Sequence, residues 1–132
     1  MKRGSYRGQL KDGKPHGQGT MVNPDGYKYD GEWNFDMKHG QGKMTYPNGA
    51  TYVGEWRENR RHGQGTYTWS NGAEYEGEFK NGKMNGQGKY KMTGETEYVG
   101  SWKDGSPHGH GRAIFPDGRI KNGEWKVGKL IK

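Results

Sequence analysis

The chain has 132 residues, 22 Lys and Arg against 15 Asp and Glu, and a formal charge of +7. A hydrophobic fraction of 27% and a mean hydropathy of −1.39 exclude a thick two-layer core, so residues 1–132 are expected to form one thin domain. No apolar run approaches membrane-spanning length, no signal peptide or lipidation motif is present, and the lack of Cys removes disulfides and thiolate metal sites; the chain reads as soluble and cytoplasmic.

From Tyr6 onward a 23-residue pattern recurs: Tyr-x-Gly-Glu-Trp, a basic turn, His-Gly-Gln-Gly, a second strand-like run, then a Pro/Asn-Gly turn. Copies occupy 6–28, 29–51, 52–74, 75–97 and 98–120, with a half-copy at 121–132. Of the 26 glycines, 24 fall at five fixed positions of the repeat, a register that a disordered chain does not need. A fixed period of this length marks stacked supersecondary units.

Each copy offers two strands, such as Tyr52 to Trp56 and Gly65 to Trp69. The copies are separated by Pro24-Asp25-Gly26, Pro47-Asn48-Gly49, Ser70-Asn71-Gly72 and Pro116-Asp117-Gly118, which predict three-residue hairpin loops with a bulge at Gly. That loop length fixes the register. Tyr29 should face Met21, Tyr52 Met44, Tyr75 Tyr67 and Tyr98 Tyr90, with Gly31 opposite Gly19 and Trp33 opposite Gly17. One face then carries rings over a floor of glycines, each Trp lying across glycines of its neighbours and the stack Leu10, Trp33, Trp56, Phe79, Trp102 and Trp125 forming the spine. Tyr46, Trp69, Met92 and Phe115 border that face opposite small residues such as Ala50, Ala73 and Thr96. The opposite face alternates Glu32, Glu55, Glu78 and Glu124 with Gln41, Gln64 and Gln87. The fourth copy is irregular: Thr93-Gly94-Glu95 replaces the usual turn and Asn85 replaces His, so its turn geometry should differ.

Tyr52-Val53-Gly54-Glu55-Trp56 followed by His62-Gly63-Gln64-Gly65 resembles the MORN (membrane occupation and recognition nexus) repeat, and the resemblance spans residues 6–132. It implies an all-β fold, an elongated single-layer twisted antiparallel sheet of consecutive β-hairpins. It also implies interaction and positioning rather than chemistry, with membrane or cytoskeletal association. Such repeats occur in junctophilins, plant phosphatidylinositol phosphate kinases, radial-spoke proteins and parasite cytoskeletal scaffolds, so the chain could also serve as the targeting segment of a longer enzyme.

No enzyme reading survives the residues themselves. His16, His39, His62 and His108, with His110 nearby, recur too far apart to share one metal, because equivalent residues of adjacent hairpins stand roughly 10 Å apart. Each imidazole is expected to close the preceding turn by hydrogen bonding. The Glu row is solvated and lacks a pocket, Ser5, Ser70, Ser101 and Ser106 have no repeating base, and no phosphate loop has the required spacing. No metal and no cofactor is implied.

Two binding surfaces are predicted. The first is a partner-binding groove of Tyr29, Tyr46, Tyr52, Tyr67, Trp69, Tyr75, Tyr90, Tyr98 and Phe115, open because one sheet layer cannot cover its own face. It would hold a protein or peptide segment. The second is an anion-binding edge of Lys11, Lys14, Lys38, Arg57, Arg60, Arg61, Lys80, Lys83 and Lys103, continued by Lys126 and Lys129, which would meet anionic phospholipid. Only Asp12, Asp36, Glu58 and Asp104 offset this edge, so the formal charge concentrates there. The other reading of the edge is a solvated rim that keeps the sheet soluble. Nucleic acid is disfavoured because basic and aromatic residues occupy different parts of the repeat. The strand edge left by Lys129-Leu130-Ile131-Lys132 would suit end-to-end pairing of two copies.

Overall fold

The computed structural model describes residues 4–91 and 94–126 and the backbone of 129–130. Its strands are β1 (Ser5–Lys11), β2 (Lys14–Val22), β3 (Lys28–Asn34), β4 (Met37–Thr45), β5 (Thr51–Arg57) and β6 (Arg60–Thr68). They continue as β7 (Glu74–Lys80), β8 (Lys83–Lys91), β9 (Glu97–Lys103), β10 (Ser106–Ile114), β11 (Ile120–Lys126) and β12 (Lys129–Leu130). All twelve form one open sheet in chain order, and every neighbouring pair is antiparallel. Sequence neighbours are space neighbours throughout, as a repeat array requires.

The loops between repeats are the expected ones. Gly26 N donates to Asn23 O at 3.0 Å and Asn23 N to Tyr27 O at 2.8 Å, with Gly26 at φ +103. The same two bonds recur across Tyr46–Ala50, Trp69–Ala73 and Phe115–Arg119. The register follows as predicted, with Tyr29 opposite Met21, Tyr52 opposite Met44, Tyr75 opposite Tyr67, Tyr98 opposite Tyr90, Gly31 opposite Gly19 and Trp33 opposite Gly17. In the fourth copy Met92 and Thr93 lie outside the described residues. Gly94 beyond them has φ +78, one position earlier than the turn glycine of other copies.

Within each repeat the basic stretch is a two-residue hairpin turn. Asp12-Gly13, Phe35-Asp36, Glu58-Asn59, Asn81-Gly82 and Asp104-Gly105 all have positive φ at both positions, the type I′ geometry that matches strand twist. Successive turns are bonded to their neighbours: Asp36 N donates to Pro15 O, Asn59 N to Lys38 O, Gly82 N to Arg61 O and Gly105 N to Met84 O, at 2.8–3.1 Å. These bonds make the turn edge a continuous ridge.

The core lies on one face, and its arrangement corrects one expectation. Tyr, not Trp, lies across the glycines. A Cβ added at Gly42 would collide with the Tyr29 phenol, and Tyr52, Tyr75 and Tyr98 block Gly65, Gly88 and Gly111 in the same way. The indoles stand edge-on between them instead. Ring centroids run Tyr29–Trp56 5.3 Å, Trp56–Tyr52 5.1 Å, Tyr52–Phe79 5.0 Å, Phe79–Tyr75 5.1 Å, Tyr75–Trp102 5.1 Å and Trp102–Tyr98 5.2 Å, with interplanar angles of 82–90°. Edge-to-face packing at these distances satisfies the ring quadrupoles and adds about 0.5–1.5 kcal/mol per pair beyond burial. The spine stops short at its start, because Leu10 is 60% exposed.

Candidate interaction surface

The repeated motif builds this inner ring row through a bulge. Gly31 pairs with Gly42 and Trp33 with Lys38, so the single residue Glu32 stands opposite His39, Gly40 and Gln41. Gly40 takes φ +74 there, where a Cβ would also press on the Glu32 carboxylate. Glu32 Oε2 accepts the Gln41 N–H at 2.5 Å, and Tyr29 Oη donates to Glu32 O at 2.9 Å. Glu55 with Gln64 and Tyr52, and Glu78 with Gln87 and Tyr75, repeat both bonds. Trp33, Trp56 and Trp102 donate Nε1–H to Gly19 O, Gly42 O and Gly88 O at 3.0–3.1 Å. Glu32, Glu55 and Glu78 are therefore caps on bulged backbone, whereas Glu124 pairs with His110.

This closure takes four predicted groove residues out of the groove. Tyr29, Tyr52 and Tyr75 are at most 1% exposed, and Tyr98 is buried as well. Burial pushes all four phenols up from their ordinary range, with Glu32, Glu78 and Glu124 reinforcing the shift in Tyr29, Tyr75 and Tyr98. Around Tyr52, Arg61 opposes the shift and Glu55 adds to it. These rings are core.

The other five, Tyr46, Tyr67, Trp69, Tyr90 and Phe115, are half-buried. Four of them form a second, outer row: Tyr46–Tyr67 5.6 Å, Tyr67–Trp69 4.8 Å and Trp69–Tyr90 5.4 Å. Exposed Tyr27 extends it, 6.1 Å from Tyr46. Two hollows open beside this row. One, of about 240 Å³, is lined by Arg61, Tyr67, Trp69, Phe79 and Met84; the other, of about 270 Å³, by Met21, Tyr27, Tyr29, Trp33, Lys38 and Met44. A further hollow of about 290 Å³ lies among Glu74, Glu76, Lys89 and Lys91 on the polar face, where Lys89 and Lys91 lie 3.5 and 3.8 Å from Glu97.

The basic edge also loses two members. Lys38 and Arg61 pair with Trp33 and Trp56, which puts them on the aromatic face. Lys38 Nζ stands 5.8–6.0 Å from the ring centres of Tyr29, Trp33 and Trp56; Arg61 Cζ stands 5.1 Å from Tyr67, 5.7 Å from Phe79 and 6.0 Å from Tyr52. Burial lowers the Lys38 ammonium from its ordinary value. Burial raises the Tyr46 phenol, and nearby Arg61 pulls it partly back. Lys11, Lys14, Arg57, Arg60, Lys80, Lys83 and Lys103 do stand exposed along the ridge, and so does Lys126; the side chain of Lys129 lies outside the described residues.

The His expectation is met in altered form at His16. His16 Nδ1 accepts Phe35 N–H at 3.2 Å, bracing the turn of the next repeat rather than its own, and its ring packs 4.6 Å from Phe35. His110 Nδ1 instead lies 2.8 Å from Glu124 on the polar face. Tyr27 and the facial placement of Lys38 and Arg61 escaped the sequence reading. Only the equivalent turns of other copies, Asp12-Gly13, Asn81-Gly82 and Asp104-Gly105, carry the pair that marks a two-residue hairpin; those beside Lys38 and Arg61 do not.

The family model of the MORN repeat matches residues 6–26, 29–51, 52–74, 75–93 and 98–118. The chain belongs to the MORN repeat family. MORN repeats are associated generally with protein and membrane interaction. Comparison with the curated proteins gives no match. Among the described residues of this MORN array, no helix is long and apolar enough to cross a membrane.

Proposed function

We propose that this MORN array is a non-enzymatic interaction module that holds a segment of a partner protein along the outer ring row. One observation carries the reading: Tyr46, Tyr67, Trp69 and Tyr90 form a contiguous, half-open row beside a core that is already closed. Aromatic side chains present large area at low conformational cost, and they anchor interfaces where a pocket receives them. The hollows of about 240 and 270 Å³ are smaller than the roughly 300–1,000 Å³ of small-molecule sites, so side chains of a linear segment fit them better than a cofactor.

Panning a random dodecapeptide phage library on the folded protein tests this. Binders should lose about tenfold in affinity on the Trp69→Gln variant, whose far-UV spectrum and melting stay close to the original. Binders indifferent to Trp69→Gln would remove the groove reading.

The exposed ridge favours a second reading, contact with an anionic membrane surface. Each Lys or Arg held at such a surface contributes about 1 kcal/mol, and the attraction weakens with salt. Phosphatidylserine vesicles that fail to sediment the protein at low salt would eliminate it.

A further inference from the structure

Lys38 and Arg61 are the feature that neither the core nor the ridge uses. Position 10 of the repeat holds Pro15, Lys38, Arg61, Met84 and Pro107, so the cations occupy the middle copies only. Both are half-buried over rings. Arg61 gives one N–H to Gly82 O at 2.7 Å and also acts as a donor toward the Tyr46 hydroxyl, and the guanidinium has five to offer. Among the described residues no acceptor lies within hydrogen-bonding distance of Lys38 Nζ, and no carboxylate pairs with either group.

Acids are missing from the whole aromatic face. Alternation from Tyr29 and Gly31 puts Asp30, Glu32, Glu55, Glu76, Glu78 and Glu124 on the opposite face, as it does Glu74 and Glu97. The other described acids lie in turns. The face is thus apolar and purely cationic. Lys121 adds charge over Phe115 at 5.8 Å, whereas Arg119, 5.3 Å from the same ring, is paired with the turn residue Asp117 at 2.7 Å. A half-desolvated ammonium without an acceptor costs free energy in the free protein, and an incoming carboxylate recovers it.

We infer that the occupant of the outer row is an acidic, aromatic- or leucine-bearing peptide segment whose carboxylates pair with Lys38 and Arg61 while its apolar side chains enter the two flanking hollows. The inference rests on the docking role proposed above. Lys38 and Arg61 lie two strands apart, roughly 10 Å. A polyproline-like segment spans that distance in three residues and a helix in seven, so the acids should recur at one of those spacings. Arg61 suits a bidentate carboxylate contact, with Tyr67 and Trp69 walling the neighbouring hollow.

The same phage selection supplies the probes, now read by composition and by charge variants. Recovered peptides should carry at least two Asp or Glu beside Phe, Trp or Leu. The Lys38→Met/Arg61→Met protein should bind them about tenfold more weakly and with a flatter salt dependence. Lys38→Met alone should keep or raise the melting temperature, because it removes an unsatisfied cation while keeping the stem. Arg57→Gln/Arg60→Gln on the ridge should change affinity by less than about twofold, since rim charges contribute little.

Binders that lack acids yet still need Trp69 would overturn the acidic partner and leave the groove intact. Binders insensitive to Trp69→Gln and to Lys38→Met/Arg61→Met but lost with the ridge variant would overturn both, as would a library that yields none. A melting temperature several degrees lower for Lys38→Met would make Lys38 structural and overturn its pairing role. Loss of phosphatidylserine-vesicle sedimentation with Lys38→Met/Arg61→Met would assign these cations to lipid and overturn the peptide.

Discussion

The inner and outer ring rows share one face and draw on the same residue types, yet they differ in what their polar atoms do. In the inner row the hydroxyls of Tyr29, Tyr52 and Tyr75 bind backbone carbonyls three residues on, and three indole N–H groups bind glycine carbonyls. The rings are sealed against glycine. In the outer row Tyr46, Tyr67, Trp69 and Tyr90 pack on one another and stay half-open; Arg61 stands over Tyr67 with unused donors, and Lys38, over inner-row rings, lines the hollow beside Tyr27. Aromatic content alone therefore does not mark a binding surface; the inner rings differ from the outer ones in how their polar groups are used, with Trp125 Nε1, buried without a partner, the exception at the end of the inner row.

The largest expected separation of the rows is alkaline. The inner phenols hold their protons more tightly in the folded chain than in the unfolded one, so their stabilisation is complete below about pH 10 and is lost as pH rises past that value. Unfolding followed by circular dichroism should begin above about pH 10, with tyrosinate absorbance from the inner row rising alongside it. Ionisation of Tyr29, Tyr52 and Tyr75 near pH 10 in a chain that remains folded would erase the distinction. A smaller effect should come from Gly65→Ala, which pushes a methyl group into the Tyr52 ring. A loss of about 3 kcal/mol, roughly 10 °C in melting temperature, is expected. A melting temperature unchanged by Gly65→Ala would mean that the inner row is not close-packed.

Much of this architecture could be read from the residues because the Pro-Asn-Gly loops fix register. Once Gly49 closes its loop, Tyr52 must face Met44, and a period of two does the rest. Three things stayed hidden for physical reasons. Alternation places Tyr52 and Trp56 on one face but cannot say which ring tips onto glycine; the bulge decides, because it frees Glu55 O for the Tyr52 hydroxyl. The bulge itself is invisible to a period-two reading, since His62-Gly63-Gln64 looks like ordinary strand. The placement of Lys38 and Arg61 depends on two-residue turns made by Phe35-Asp36 and Glu58-Asn59, neither of which contains the glycine that usually advertises one. Phe35, at φ +42 and 44% exposed, adopts a conformation a bulky side chain rarely takes.

The division between a closed core and a receptive outer row is tested most directly by titrating the ¹⁵N-labelled protein with a selected peptide and following the indole Nε1–H signals. Trp69 should move together with the backbone amides of Lys38 and Arg61, while Trp33, Trp56 and Trp102, tied to glycine carbonyls, stay in place. Shifts confined to the ridge amides around Arg57, Arg60, Lys80 and Lys83, with Trp69 silent, would contradict it.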